Sequence, residues 1–282
     1  MKKENVGYLQ IISAGILVSL FPILVRLITN LNSYAVVFFR ILIPVILFGL
    51  FFMFFKDKLS PLKYERKRMI LFGALHGFII LGYFIAIKYL TIASAVLLLY
   101  TFPIWAMIFS YFLLKEKITK KSFFALTIAF IGIIILLSPE NFLIKKNLIG
   151  STVGLLAGMG AGLVYTLSKT FKKYDKVSLT YWQNVIALPF ILPLLFIDFP
   201  NFQLVTLKEI IFVLIIGINS IIPFILVYKG ISHVGAHKGT VIMSLEILYP
   251  IILAFLIFKE IPSVTTYIGG IFIILGAYLI TR

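Results

Sequence analysis

Three ionisable side chains stand deep inside long apolar runs: Glu246 about ten residues into 236–258, His76 in the middle of 67–89, and Arg40 about seven residues into 33–55. Placing such a group in hydrocarbon costs roughly 2.5–3.5 kcal/mol on insertion scales, so each is a candidate for function. A carboxyl group that takes up and releases a proton suits Glu246 to proton coupling or to binding a substrate amine. The structural counter-reading is a hydrogen-bonded glutamate that fastens its helix to a neighbour. Imidazole is the side chain whose ordinary range brackets neutral pH, which makes His76 a natural exchange partner for a carboxylate, although a lone intramembrane histidine also serves as a helix–helix hydrogen bond. Arg40 keeps its proton and lies too deep for easy escape to water, so it needs a partner or a wet cavity. Arg26 and Lys88 stand close enough to the ends of their runs to snorkel. His233 and His237, four apart, have the spacing of a metal pair, but no further ligand accompanies them. They read as two loop-edge histidines, and neither a metal nor a cofactor is expected.

The elements that position these groups follow from composition. Of 282 residues 61% are hydrophobic and only 13% charged, so there is too little polar surface to coat a soluble globule, where about a quarter are charged. The formal charge of +16 would suggest nucleic acid in a soluble protein. Here the basic residues fall between apolar runs and act as topology signals, so the expected partners are a small-molecule solute and the lipid bilayer, not nucleic acid. Cysteine is absent, which removes disulfides and thiolate chemistry. The run from Val6 to about Ile28 follows Lys2 and Lys3 but is too long for a signal peptide and lacks a clear cleavage site, so it reads as a retained first helix.

About 20 apolar residues cross the hydrocarbon core as a helix. Ten stretches fit, here helices 1 to 10: 6–29, 33–55, 67–89, 92–114, 120–138, 148–170, 178–197, 207–229, 236–258 and 262–281. A β-barrel would need alternating segments, whereas Ile128–Leu137 is apolar all round. Loops on the amino-terminal side carry 19 Lys and Arg against 5 on the other, which predicts a multi-pass plasma-membrane protein with both termini cytoplasmic. Seven prolines, at 22, 44, 103, 189, 193, 223 and 250, fall inside spans, where each frees a carbonyl and makes either a hinge or a static kink.

Comparing residue n with n+144 brings out an internal repeat. Lys115-Glu116 falls on Lys259-Glu260, Gly132 on Gly276, Gly73 on Gly217, Ala86-Ile87 on Gly230-Ile231 and Arg40 on Asn184, while a one-residue slip puts Gly7 on Gly150. The fold class expected is therefore all-α integral membrane, ten transmembrane helices as two inverted five-helix repeats, 1–140 and 141–282. Five spans per half is an odd number, so the second half enters the membrane upside down. Inverted repeats place a binding site near the midplane at their interface. The repeat mate of Glu246 is Phe102, which makes that site asymmetric.

At this point the chain resembles the drug/metabolite transporter superfamily, in its EamA-type branch, over essentially its whole length. The resemblance rests on Ala86-Ile-Lys-Tyr-Leu-Thr-Ile-Ala-Ser-Ala, Phe102-Pro103, Leu114-Lys115-Glu116 and Gly132, on Leu245-Glu246, Phe258-Lys259-Glu260 and Gly276 in the second half, and on Phe38-Phe39-Arg40. Ile247 stands where a proline is usual, with Pro250 three residues on. The resemblance implies a central cavity lined by helices 1, 3, 4, 6, 8 and 9, helix 2 at the periphery, and export or exchange of small metabolites such as amino acids, their analogues or cationic compounds, by a monomer or homodimer. It gives Arg40 and its mate Asn184 a structural or gating role. On the cavity helices, Tyr83, Tyr100, Trp105, Tyr165, Tyr228 and Tyr249 offer apolar walls with hydrogen-bonding tips and faces that attract cations. Asn219 and Ser220 are uncharged polar candidates. Gly154, Gly158 and Gly162 form a small-residue face on helix 6, either a sliding surface or tight packing. The substrate-binding candidates are thus His76, Tyr83, Tyr100, Trp105, Tyr165, Asn219, Tyr228, Glu246 and Tyr249, with Glu246 and His76 the pair for proton coupling. An intramembrane enzyme using Glu246 and His76 as acid and base is the alternative from another class, without H-E-x-x-H, G-x-S-x-G or a phosphate-cradling glycine loop to support it. A non-transporting scaffold or receptor is another.

Overall fold

The computed structural model describes residues 3–90, 92–137, 148–197, 200, 202–259 and 261–281. Lys2, the 140/141 boundary, Lys145, Lys146, Glu260 and Arg282 lie outside the described residues. Among those described there are ten helices long and apolar enough to cross a membrane, and no strand. They span Lys3–Arg26, Tyr34–Phe54, Arg66–Ile87, Ser94–Leu114, Lys120–Leu137, Leu148–Ser168, Lys176–Leu195, Leu207–Val234, Ala236–Phe258 and Val264–Thr281. Helix 8 runs five residues past the expected 229, because apolar Ile231 and Val234 are buried and continue the same face.

Four helices are broken, and prolines account for where. A proline cannot bond the carbonyl four residues back, so the ladder fails just upstream of it. Helix 1 breaks at Ser19 before Pro22, helix 4 at Tyr100–Thr101 before Pro103, and helix 8 at Ser220 before Pro223. In helix 9 a 3₁₀ turn over Ser244–Ile247 precedes Pro250, so the displaced proline still breaks the helix. At two of the breaks a side-chain hydroxyl adds a bond to a carbonyl of the preceding turn: Thr101 donates to the Leu98 carbonyl at 2.6 Å and Ser220 to that of Ile216 at 2.8 Å. Pro44, Pro189 and Pro193 sit in helices that stay continuous.

Glycine sets the closest approaches. Helices 5 and 10 are both 18 residues long, start 144 residues apart and cross where a Cβ on Gly132 would lie 2.7 Å from the Gly269 carbonyl oxygen. A Cβ on Gly276 would lie 2.7 Å from the Ala125 oxygen, and Ala125 precedes Gly269 by the same 144 residues. Gly73 meets Ile186 as Gly217 meets Ile43. The two non-glycine residues with positive φ among those described, Lys115 at 52° and Lys259 at 58°, end helices 4 and 9 in the left-handed conformation at the same interval. Gly154, Gly158 and Gly162 press directly on Leu98, Leu99, Phe102 and Trp105 of helix 4, so this face is packed against protein.

On the side away from the amino terminus, Glu209 ties the helix 1–2 turn to the start of helix 8. Its carboxylate accepts from the backbone N–H of Thr29 and Asn30, both at 2.8 Å, and of Thr206 at 2.9 Å, and from the side chains of the same three residues. Glu65, 144 residues earlier, stands just before helix 3, and among the described residues its carboxylate bonds the half-exposed Arg68. Glu209→Ala is therefore expected to lower the melting temperature of the purified protein by several degrees and Glu65→Ala hardly at all; equal shifts in thermal unfolding would contradict this account.

Candidate functional site

Every break aims a side chain at one place. Tyr100 sits in the break of helix 4 and Glu246 in the 3₁₀ turn of helix 9, while Phe21 and Phe224 follow the breaks of helices 1 and 8. Unbroken helix 3 contributes one face, His76, Ile79, Ile80 and Tyr83, at the three- and four-residue spacing that keeps side chains together. With Arg40 and Tyr165 these residues wall a cavity of about 230 Å³. A larger groove of about 530 Å³ between helices 3 and 6 is almost wholly apolar, and its exposed Phe78 and Leu156 mark it as part of the bilayer-facing surface.

Arg40 and Glu246 bring opposite charge to the cavity wall. The Tyr100 hydroxyl donates to Glu246 Oε1 at 2.8 Å. The Arg40 guanidinium lies over the Phe21 ring, 4.3 Å from its centroid, which places a cation on the negative face of an aromatic system. His76 is buried and meets Phe224 edge-on with centroids 5.3 Å apart. Phe102, 144 residues before Glu246, is on the same wall and packs on both Tyr100 and Tyr165. The chamber thus brings a guanidinium, a carboxyl group and aromatic faces together around one small space.

Of the residues singled out from sequence, His76, Tyr83, Tyr100, Tyr165 and Glu246 line this cavity. Trp105 is turned onto Gly162 and Phe109 instead. Tyr228 is fully buried below, donating to Gln183 Oε1 at 2.6 Å, and Tyr249 packs on Gly15 of helix 1. Asn219 donates to the Leu17 carbonyl at 2.6 Å and so joins the breaks of helices 1 and 8. Asn184 is spent on its own helix, on the Thr180 carbonyl. Helix 2 is not peripheral at this level: Val37 and Arg40 are on the wall. Phe21, Phe84 and Phe224 are wall residues that the sequence does not mark, since nothing there separates them from other phenylalanines of apolar helices.

A second polar cluster sits at the amino-terminal side of the bundle. Left-handed Lys115 turns Glu116 back under the helices, with Glu116 N–H on the Ser110 carbonyl at 3.1 Å. Glu116 Oε1 accepts from Lys169 Nζ at 2.7 Å and from the Ala236 N–H at 3.2 Å, and Oε2 accepts from His237 Nδ1 at 2.6 Å. Burial opposes its ionisation, but the bonds from His237 and Lys169 prevail and hold its pKa down at about 2. A depressed carboxylate stabilises the folded state above its ordinary range near 4.5, and that contribution is lost only as pH falls toward 2. The cluster occupies His237 with a carboxylate; among the described residues no group of three potential metal ligands forms.

Ten spans around a charged, aromatic-walled chamber are the build of a polytopic membrane transporter. The chain belongs to the EamA-like transporter family, whose model matches residues 5–138 and again 148–282. It is 23% identical to the pseudopaline exporter of Pseudomonas aeruginosa over 74% of this chain and 73% of that one. With the S-adenosylmethionine uptake transporter of Rickettsia bellii it shares 24% identity over 87% of this chain and 82% of that protein. An uncharacterized membrane protein of Saccharomyces cerevisiae is 25% identical over 77% of this chain, and the match spans 57% of the yeast protein. A solved crystal structure superposes with a TM-score of 0.83, covering 97% of this chain and 96% of the other at 17% identity, which shows the fold.

Proposed function

We propose that this protein is a secondary transporter of small metabolites such as amino acids or related compounds, an exporter or exchanger working by alternating access around the central cavity. The observation that carries this reading is one small chamber holding both Arg40 and Glu246 among aromatic rings. That pairing suits a zwitterion: a carboxylate for the guanidinium fork and an ammonium for Glu246 or a ring face. Glu246 and His76 are the groups for proton exchange, and the Tyr100 hydroxyl steadies the carboxylate. Contacts repeated at 143–144 residue spacing, and the family model matching twice, support two inverted five-helix halves, 1–140 and 141–282, in the plasma membrane with both termini cytoplasmic. Relatives named as an exporter and as an uptake transporter support transport and leave direction to experiment.

Purified protein melted against amino acids, sugars, nucleosides and organic cations is expected to shift with amino acids, since ligand at 100 times Kd stabilises by about 2.7 kcal/mol. A shift with sugars alone would overturn the substrate class. In proteoliposomes, Glu246→Gln should abolish uptake driven by a proton gradient while sparing exchange. Gradient-driven flux unchanged in that variant would remove Glu246 from coupling.

A further inference from the structure

The cavity is not equally enclosed at its two ends. Four of its wall residues, Phe21, Val37, Tyr83 and Phe84, also line a wider cleft of about 630 Å³, which extends past Leu31, Asn32 and Tyr34 at the end away from the amino terminus. Toward the amino-terminal end the bundle is packed instead, with Phe72, Phe171, Tyr228 and Val241 all buried in one core, and the Glu116 carboxylate sits at that end. It belongs to the end of helix 4. Its partners are Lys169 at the end of helix 6, and Ala236 and His237 at the start of helix 9. Gly235 makes room for it: with φ at 97°, a Cβ there would stand 3.1 Å from both carboxylate oxygens. Alongside, Lys238 reaches Glu4 of helix 1 at 3.6 Å.

We propose that Glu116 is the latch of the gate at the cytoplasmic end, tying helix 4 of the first half to helices 6 and 9 of the second, and that its bonds to Lys169 and His237 must part for the cavity to open to that side. The inference rests on the alternating-access reading, under which whatever joins the two halves at the closed end has to separate. The chemistry of this joint suits repeated breaking. Two of its three donors are side-chain tips, and the Lys169 side chain is 32% exposed, so separation hands both charges to water and strands neither in the interior. His237 Nε2 is buried without a partner among the described residues, a loss that opening would relieve. Glu209 contrasts with it, being held by three backbone N–H groups on the turns that flank it.

The chain has no cysteine, so one introduced thiol reports the gate directly. Ala161→Cys places it on the cavity wall. Inside-out vesicles expose the cytoplasmic end to a membrane-impermeant cationic methanethiosulfonate. Adding Glu116→Gln to Ala161→Cys is expected to raise the labelling rate from that end roughly tenfold, as the closed state loses its charge-assisted bonds. A rate within about twofold of Ala161→Cys alone would overturn the latch. Should Glu116→Gln fail to reach the membrane, Lys169→Met and His237→Asn each cut one arm and are expected to speed labelling severalfold; no change in either overturns the latch equally. Failure of the underlying reading looks different: a thiol in the otherwise unaltered chain that is labelled only from the outer side, with every candidate solute and pH gradient, would sink alternating access itself.

Discussion

Arg40→Gln and Glu246→Gln are each expected to lower the melting temperature, roughly by 5–10 °C, while the double variant recovers most of what either single loses. Among the described residues lining the cavity these two carry the opposed charges, and both side chains are only partly exposed. Removing one of two charges that face a shared cavity leaves the other without its balance, whereas removing both together is often neutral. The expected result of the cycle is therefore a coupling of about 2 kcal/mol between two residues 206 positions apart in sequence. Purely additive losses in thermal unfolding would mean that each charge is solvated separately, and the chamber would then lose its claim to a zwitterion. Gradient-driven uptake is expected to fail in all three variants, so stability supplies the discriminating signal.

The same two residues show what the sequence makes legible. A charged group in an apolar run is costly enough that its presence alone marks a site, so Arg40, His76 and Glu246 stand out without any structure. Ten spans stand out for the same reason, since only an uninterrupted apolar helix tolerates hydrocarbon. Rotation about the helix axis does not. In a soluble helix the polar face tells inside from outside, but here both faces are apolar, so nothing in the pattern separates Phe224, which lines the cavity, from Phe112, which is exposed to the bilayer. Trp105, Tyr228 and Tyr249 qualify by residue type alone and point elsewhere for that reason. Asn219 illustrates a second limit: its amide caps a carbonyl freed by a break in helix 1, and a partner 202 residues away is invisible to local spacing. His237 reads as a loop-edge residue until Glu116, 121 positions earlier, is seen to bond it. Proline positions locate four breaks closely, yet Pro44, Pro189 and Pro193 look no different in sequence and leave their helices whole.

Replacing Gly132 or Gly276 by valine is expected to cost at least about 3 kcal/mol, the upper end for overpacking, and to deplete folded protein in the membrane. The usual escape from overpacking is rotation of a neighbouring side chain. Here a Cβ on Gly132 meets the Gly269 oxygen at 2.7 Å and the Ile273 nitrogen at 2.8 Å, and one on Gly276 meets the Ala125 oxygen at 2.7 Å and the Ala129 nitrogen at 2.8 Å, so only separation of the two helices relieves the clash. Gly49 supplies the control. It lies inside helix 2, where a Cβ would find nothing nearer than the Tyr181 hydroxyl at 3.9 Å, so Gly49→Ala should stabilise by about 0.5–1 kcal/mol through lower backbone entropy in the unfolded chain. Helices 5 and 10 contribute no side chain to the cavity wall, and this gives the prediction its functional edge. Gly132→Ala, the smallest insult at that crossing, should lower the melting temperature while leaving solute affinity of the surviving folded protein unchanged. A change in affinity as large as the change in stability would show that the helix 5–10 crossing moves with the transport cycle and is more than a fixed spine.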